Sequence, residues 1–453
     1  MEHKNTRAEW WTHQPLWLKI AKVAIVLAVG VVIEVAGSFV FGHTPGVLGA
    51  ANSYLTISLI TREALRILEN NLTAAKLVNR EYNDKFGVDG AKIGTTLNVR
   101  KPPKYAGRTG QAMSIENAVE TQVAVTLDKQ FGVDLEFSSQ DLLLSIDDFA
   151  QRFLQPAVSR IANEIDTDVL LEYDQFYNHV GTPGTTPTAL LTYLQAGVRL
   201  NDDATPMDGQ RSMIVDPLME ATIVDALKGL FQQATAIAEQ YTKGQMGTVA
   251  GFDWYMDQNV PVHTVGALGG TPLVNGASQT GSTLDTDGWT ATTGALAKGD
   301  IFTIANVNKV NPISKRNLGK VQQFRVTAAV TANVSGEIEI SIDPPITTSG
   351  PNQTVNAAPA NNAAITVVGA ASTNSPQGLA LHKDAITLVS ADLPLPRGVD
   401  MAGRMSDKQL GVSIRLVRQY DIRTDYFPCR LDVLYGVTTL RAEFGCRVSS
   451  GTT

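Results

Sequence analysis

Six histidines, two cysteines and a short run of acids are the side chains whose types could do chemistry in this sequence. The histidines stand at His3, His13, His43, His179, His263 and His382, and none has a second His or Cys at metal-ligand spacing. Cys429 and Cys446 lie 17 residues apart, too few for a disulfide framework. They read as buried free thiols, with a single bridge as the alternative. Glu164, Asp166 and Asp168 read as a solvated acidic face rather than an acid/base pair. GALGG, Gly266 to Gly270, lacks the Lys-Ser/Thr that a phosphate-binding loop needs and reads as a flexible turn. No Ser sits in a G-x-S-x-G elbow. Nothing here promotes a catalytic, cofactor or metal site, and the reading is that of a non-enzyme.

The other chemical signal is charge. KIGTTLNVRKPPKYAGRTG, Lys92 to Gly110, carries Lys92, Arg100, Lys101, Lys104 and Arg108 and no acid. Three roles fit it: a nucleic-acid contact, a solvated loop, or an arm laid on another subunit. A nucleic-acid contact wants interleaved aromatics, and only Tyr105 is present. The whole chain, 453 residues with a net charge of −7, lacks the positive field on which non-specific nucleic-acid binding rests. A basic arm across an acidic neighbour suits that balance. Arg100, Lys101, Lys104 and Arg108 are therefore the candidate inter-subunit contacts.

At 43% hydrophobic and 18% charged the composition is globular, and the length allows about three domains. The first 50 residues differ from the rest. Leu16 to Phe41 is nearly all apolar, interrupted by Lys19, Lys22 and Glu34, with Trp10, Trp11 and Trp17 at the near end. Its 26 residues exceed the about 20 that cross a bilayer. Residues 1–50 are read either as a hydrophobic extension with a transmembrane segment at 16–41 or as an extraneous or removed piece.

Beyond a Gly/Pro joint, Ile60, Ala64, Ile67, Leu68, Leu72, Ala75 and Val78 recur at helical spacing, with a cap at Ser58 or Thr61. Ile93 to Val99 alternates as a strand that Pro102-Pro103 ends, and Gln122 to Phe137 alternates as a second. Together they predict a long hairpin too extended to bury itself. Phe149, Phe153, Ala157, Ile161, Ile165 and Val169 step by four along a helix between Ile146 and Tyr177. Pro156 either kinks that helix or opens a second one. Arg211 to Pro217 reads as a buried strand and Ala221 to Tyr241 as a helix. No charged residue occurs between Gln258 and Leu284, where an all-β segment begins. Its strands are Gly299 to Val307, Gln322 to Val330, Gly336 to Asp343 with Ile338, Ile340 and Ile342 inward, and Ala385 to Ser390 closing the set. Such short strands predict a small barrel or sandwich. Longer charged strands follow from Leu410 to Val448. The sequons at Asn71, Asn333 and Asn352 read as chance matches.

IGTTLNVRKPP, VAVTLDKQFGVDLEFSSQDLLL, FLQPAVSRIANEIDTDVL and RLDVLYGVTTLR, in that order, resemble the major coat proteins of tailed double-stranded DNA phages, the Salmonella phage P-22-type coat protein family. The resemblance spans roughly Ala51 to Val448. It implies an α+β chain of the Hong Kong 97-type capsid fold with an inserted all-β barrel-like domain. It also implies the parts: an N-terminal arm helix at 51–90, an extended hairpin loop at 91–127, and a peripheral domain with a spine helix and the first part of the axial domain at 128–261. The inserted β-barrel follows at 262–390, and the rest of the axial and peripheral domains at 391–453. The function implied is a major capsid protein, without cofactor, whose copies form the pentamers and hexamers of an icosahedral shell enclosing double-stranded DNA. A scaffolding protein and a portal are the further partners implied, and assembly in the bacterial host cytoplasm. The alternative takes residues 16–41 at face value: a membrane-anchored surface protein displaying a β adhesion module. A non-viral compartment of the same fold is a third reading.

Overall fold

The structure is a computed structural model and describes residues 61–68, 71–82, 96–113, 115–118, 120–138, 153–227, 248–249, 251–407 and 411–452. The chain divides into two compact units, Met1–Thr56 and Ile57–Thr453, and every described residue lies in the second. The expected membrane segment at 16–41, Lys92 and most of the 221–241 helix lie outside the described residues. Among the described residues no helix is long and apolar enough to cross a membrane.

One long helix, Gln155–Leu171, organises the first core. Pro156 falls in its first turn, where the missing N–H costs nothing, and the residues expected to precede it as helix, 146–152, lie outside the described residues. Ala157, Ile161, Ile165 and Val169 are buried as the four-residue step requires, each large side chain contributing about 1.5–3 kcal/mol. Phe153 departs from the stripe. It is partly exposed, with its ring edge-on to Phe137 at 5.1 Å between centroids.

The helix packs against a five-stranded antiparallel sheet. The central strand, Tyr426–Thr439, carries Lys129–Ser138 on one side and Val412–Arg418 and Ile386–Ala391 on the other, with Met401–Asp407 outermost beside Val412–Arg418. A second sheet has seven strands in which Asn374–His382 pairs Gly445–Ser449, Arg211–Val215 and Val262–Thr264. Arg211–Val215 is buried throughout, as a central strand must be. The fold is mixed α+β and mostly sheet.

Two sequence expectations are corrected here. Residues 61–68 are helical, but the helix does not run on to Val78. The chain leaves the helix after Asn71, where the Leu72 N–H still donates to the Leu68 carbonyl, and re-forms as a short 3-10 turn, Ala74–Lys76. The apolar side chains of both pieces remain buried, because the interruption is held by a carboxylate described below. Likewise the run expected as one strand from Gln122 to Phe137 is two. Thr121–Thr126 pairs Thr96–Lys101, while Lys129–Ser138 joins the five-stranded sheet.

The β module has its own core. A six-stranded antiparallel sheet runs in the order Ile365–Val367, Ile301–Val310, Asn317–Val326, Ile338–Ile346, Gly281–Trp289 and Gly270–Val274. Ile338, Ile340 and Ile342 face inward, and Phe302 stacks on Phe324 at 5.7 Å. A bridge between Leu273 and Ala364 links the two ends of this sheet. Ile386–Ala391 does not close the set as expected. It pairs with Tyr426–Thr439 in the other sheet, because its residues are buried on both faces and need a covered position. GALGG is no flexible turn either. A Cβ on Gly266 would meet the Ala295 carbonyl and one on Gly270 the Gly288 carbonyl, so these glycines permit close backbone contact. Cys429 and Cys446 are free and buried, and burial pushes their thiols up to about 11 and about 12.

Candidate subunit interface

The candidate site is the hairpin Thr96–Lys101 and Thr121–Thr126, in antiparallel register from Thr96 opposite Thr126 to Lys101 opposite Thr121. Its root is not free. Val99 and Val125 are buried with Val389 and Leu440. Gly436 makes that seat possible, since a Cβ there would run into the Thr126 carbonyl oxygen. Gly436→Ala is therefore expected to push the hairpin off the sheet and to cost at least the ~1–3 kcal/mol of overpacking. A lowered melting temperature, with faster hydrogen exchange at Leu97 to Val99, checks this.

Pro102 and Pro103 end pairing, and the following loop projects. Tyr105 is 55%, Met113 78% and Ile115 79% exposed, too much apolar surface for a loop with no further partner. The loop is shaped internally by Glu116, whose carboxylate accepts from the Ala106 and Gly107 N–H groups at 2.8 and 2.7 Å.

The four candidate cations divide. Arg100 reaches Glu120 at 3.4 Å on the exposed side, and Arg108 donates to the Gly110 carbonyl within the loop. Lys101 and Lys104 instead line a cleft of about 460 Å³, walled also by Pro312 and Ile313 of the module and by Arg441 and Glu443. Lys104 comes only within 4.0 Å of Glu443. The basic stretch thus presents two cations outward and two toward its own chain.

The acids at 164, 166 and 168 are not a solvated face. Asp166 is 1% exposed and accepts from the backbone N–H groups of Thr73 at 2.7 Å and Ala75 at 2.8 Å. This carboxylate ends the first helical segment and ties it to the long helix. Burial raises Asp166 to about 7, against those two hydrogen bonds. Glu164 and Asp168 both accept from Lys129, at 2.8 and 2.7 Å, and the Tyr435 hydroxyl donates to Asp168 at 2.5 Å. Alternation alone could not reveal this, because these partners are 35 to 267 residues away in sequence.

A second polar system joins the module to the body, and sequence reading missed it. Lys309, 2% exposed, donates to Asp203 at 2.7 Å and to Asn178 at 3.0 Å. His263 stands between Asp300 at 2.9 Å and the Tyr173 hydroxyl at 3.1 Å. Gln323 brackets the His179 backbone, accepting its N–H and donating to its carbonyl. Burial, with Arg447 and Arg199 nearby, holds His179 down at about 3, so it stays neutral. Arg447 donates to the Gly299 carbonyl at 2.7 Å beneath the Tyr173 ring. The one available signal was Lys309 itself, a cation amid the inward-facing residues of an apolar strand. Among the described residues no group of three or more His, Cys, Asp or Glu could hold a metal ion.

A body with its own buried core, a docked module and a seated hairpin with an exposed apolar tip make a structural subunit fitted to meet further subunits. The chain belongs to the P22 coat protein family, described as P22 coat protein, gene protein 5, whose model matches residues 50–449. It is a major capsid protein, and its copies form an icosahedral shell. No curated protein matches the chain. Similar solved structures include Mycobacterium phage Che8 at 12% identity and a TM-score of 0.43, covering 83% of this chain and 90% of the other. The capsid of Ralstonia phage GP4 has 9% identity and a TM-score of 0.43, covering 83% and 87%. A virus-like particle from Pyrococcus furiosus has 7% identity and a TM-score of 0.38, covering 87% and 99%.

Proposed function

We propose that this coat subunit assembles into pentamers and hexamers through its hairpin, and that Arg100, Lys101, Lys104 and Arg108 serve the inter-subunit contacts. The observation that carries this is the contrast within one element: a root buried among Val125, Val389 and Leu440, and a tip with Met113 and Ile115 largely exposed. Apolar surface held out on a seated strand pair gains its stabilisation only when a neighbour covers it.

The remaining parts follow the Hong Kong 97-type plan: an N-terminal arm at 51–90, the hairpin loop at 91–127, and a peripheral domain with its spine helix and the first axial part at 128–261. An inserted barrel built on the six-stranded sheet from Gly270–Val274 to Ile365–Val367, and the remaining axial and peripheral strands through Gly445–Ser449, complete it. The Leu273–Ala364 bridge supports closure of the six-stranded sheet into that barrel. The role is structural rather than catalytic. The shell encloses DNA without reading its sequence, takes a scaffolding protein and a portal as partners, and assembles in the host cytoplasm.

Replacing residues 105–113 by a short Gly-Ser linker tests the hairpin's role, since the root stays intact. The expected result is a folded subunit with an unchanged melting temperature that no longer closes shells. Shells at undiminished yield would refute it.

A further inference from the structure

A cavity of about 450 Å³ opens where the module meets the body, and it shares no lining residue with the cleft beside Lys101 and Lys104. The body lines it with His179 from the strand Asn178–Val180 and with Gln195 and Arg199 from the helix Leu190–Asp202. The module adds Lys320 and Gln323 from Asn317–Val326. Among the described residues no carboxylate lines it. Asp202, at the end of the helix, pairs with Lys320 at 2.7 Å. Arg199 is half-buried and its guanidinium makes no hydrogen bond or ion pair among the described residues, so the cavity keeps an unanswered positive charge.

His179 adds a donor that also lacks an acceptor. The ring is 5% exposed, and its Nε2 lies 2.6 Å from the Ser449 hydroxyl, which itself accepts from the Gln377 amide at 3.0 Å. The other acceptor open to the Ser449 hydrogen, the Gln377 Oε1, is 3.4 Å away. The hydroxyl therefore donates to Nε2, which puts the single ring proton on Nδ1. Nδ1 has no partner among the described residues. Burial first, then the charges of Arg447 and Arg199, keep this ring neutral, so its N–H sits in a positive field.

We propose that this cavity binds a small phosphate-type oxyanion, with Arg199 as its charge partner and the His179 Nδ1–H and the Gln195 amide as further donors. A planar guanidinium offers paired N–H groups that match two oxygens of one phosphate. A buried donor without an acceptor is costly, and the anion supplies the acceptor. The volume would also admit a nucleoside monophosphate, but no Phe, Tyr or Trp lines the cavity for a base to stack on. The phosphate group is therefore the part recognised. Because its donors come from both the body and the module, the bound anion holds the module in its seat and stabilises the folded subunit by mass action. The site lies within one subunit and is independent of the shell reading.

Thermal melting of the full-length chain in rising inorganic phosphate, against sodium chloride of matched ionic strength, tests it. The unaltered chain is expected to show a saturable rise in melting temperature, with slower hydrogen exchange along Asn317–Val326. Arg199→Gln should weaken the apparent phosphate affinity at least about tenfold, the loss of one charged hydrogen-bonding partner. Gln195→Glu, which sets a carboxylate against the anion, should do the same. Neither side chain has a partner among the described residues to lose, so circular dichroism should stay unchanged in both variants. Comparing the variants with the unaltered chain also removes the general stabilising effect of phosphate as a salt. A nucleoside monophosphate that binds like phosphate names the phosphate group alone as the ligand, and tighter binding adds the nucleoside; both results uphold the site. A rise no larger than that in chloride, an equal response from both variants and the unaltered chain, or protection by duplex DNA but not by phosphate would overturn the proposal. None of these outcomes bears on whether the copies form shells.

Discussion

Replacing Lys309 by Met is expected to destabilise the unassembled subunit by about 3–5 kcal/mol, because the change strands the Asp203 carboxylate in the interior. Both partners are almost fully buried, at 3% and 4% side-chain exposure, so solvent screening offers no relief. Burial already raises Asp203, and Lys309 is the largest influence pulling it back. Asn178 also donates to that carboxylate at 2.7 Å, which is too little alone for a full charge. The double replacement Lys309→Met with Asp203→Asn should recover most of the loss, since it removes the charges together. Urea unfolding of the unaltered chain and these two variants measures both effects. A single-variant loss below about 1 kcal/mol would show that the pair is not buried as described. Because Lys309 belongs to the module and Asp203 to the body, the same change should also loosen the module's seat, visible as faster hydrogen exchange along Ile301–Val310.

Asp166 gives the second large effect, and its sign is opposite to that of most carboxylates. Its value is raised from 3.8 to about 7, so the folded chain binds a proton that the unfolded chain has released. Its contribution is complete below about pH 4 and is lost as pH rises through 7. Three units correspond to about 4 kcal/mol at the upper limit. The groups acting on it are Asp257, which raises it, and Lys76, which lowers it, beside the Thr73 and Ala75 N–H groups that also lower it. Asp166→Asn should remove this slope, leaving unfolding free energy flatter between pH 5 and 8 than in the unaltered chain. It should also weaken the Thr73 to Ala75 turn, because an amide has one acceptor oxygen where the carboxylate has two. Equal slopes in both proteins would mean that Asp166 does not titrate in this window.

Local pattern made part of this molecule legible. The Ala157, Ile161, Ile165 and Val169 stripe, the Ile338, Ile340 and Ile342 alternation and the proline stop after Lys101 each depend on neighbours within a few residues. What stayed hidden depends on distant partners. Asp166 looks like any acid on a helix until Thr73 and Ala75 are brought to it, and Ile386–Ala391 looks like the last strand of the module until Tyr426–Thr439 pairs it. The basic stretch was legible as charge but not as direction. That Lys101 and Lys104 face a cleft while Arg100 and Arg108 face outward follows from the seat of Val99 and Val125, which the spacing of the cations does not encode.

The most direct measurement of the central claim is electron microscopy of particles formed by the full-length chain expressed in a bacterial host. Closed shells of uniform diameter, with each subunit's 102–120 loop lying against the next subunit, are the expected result. Folded subunits that remain monomeric, or closed shells in which that loop touches only its own chain, would contradict the account.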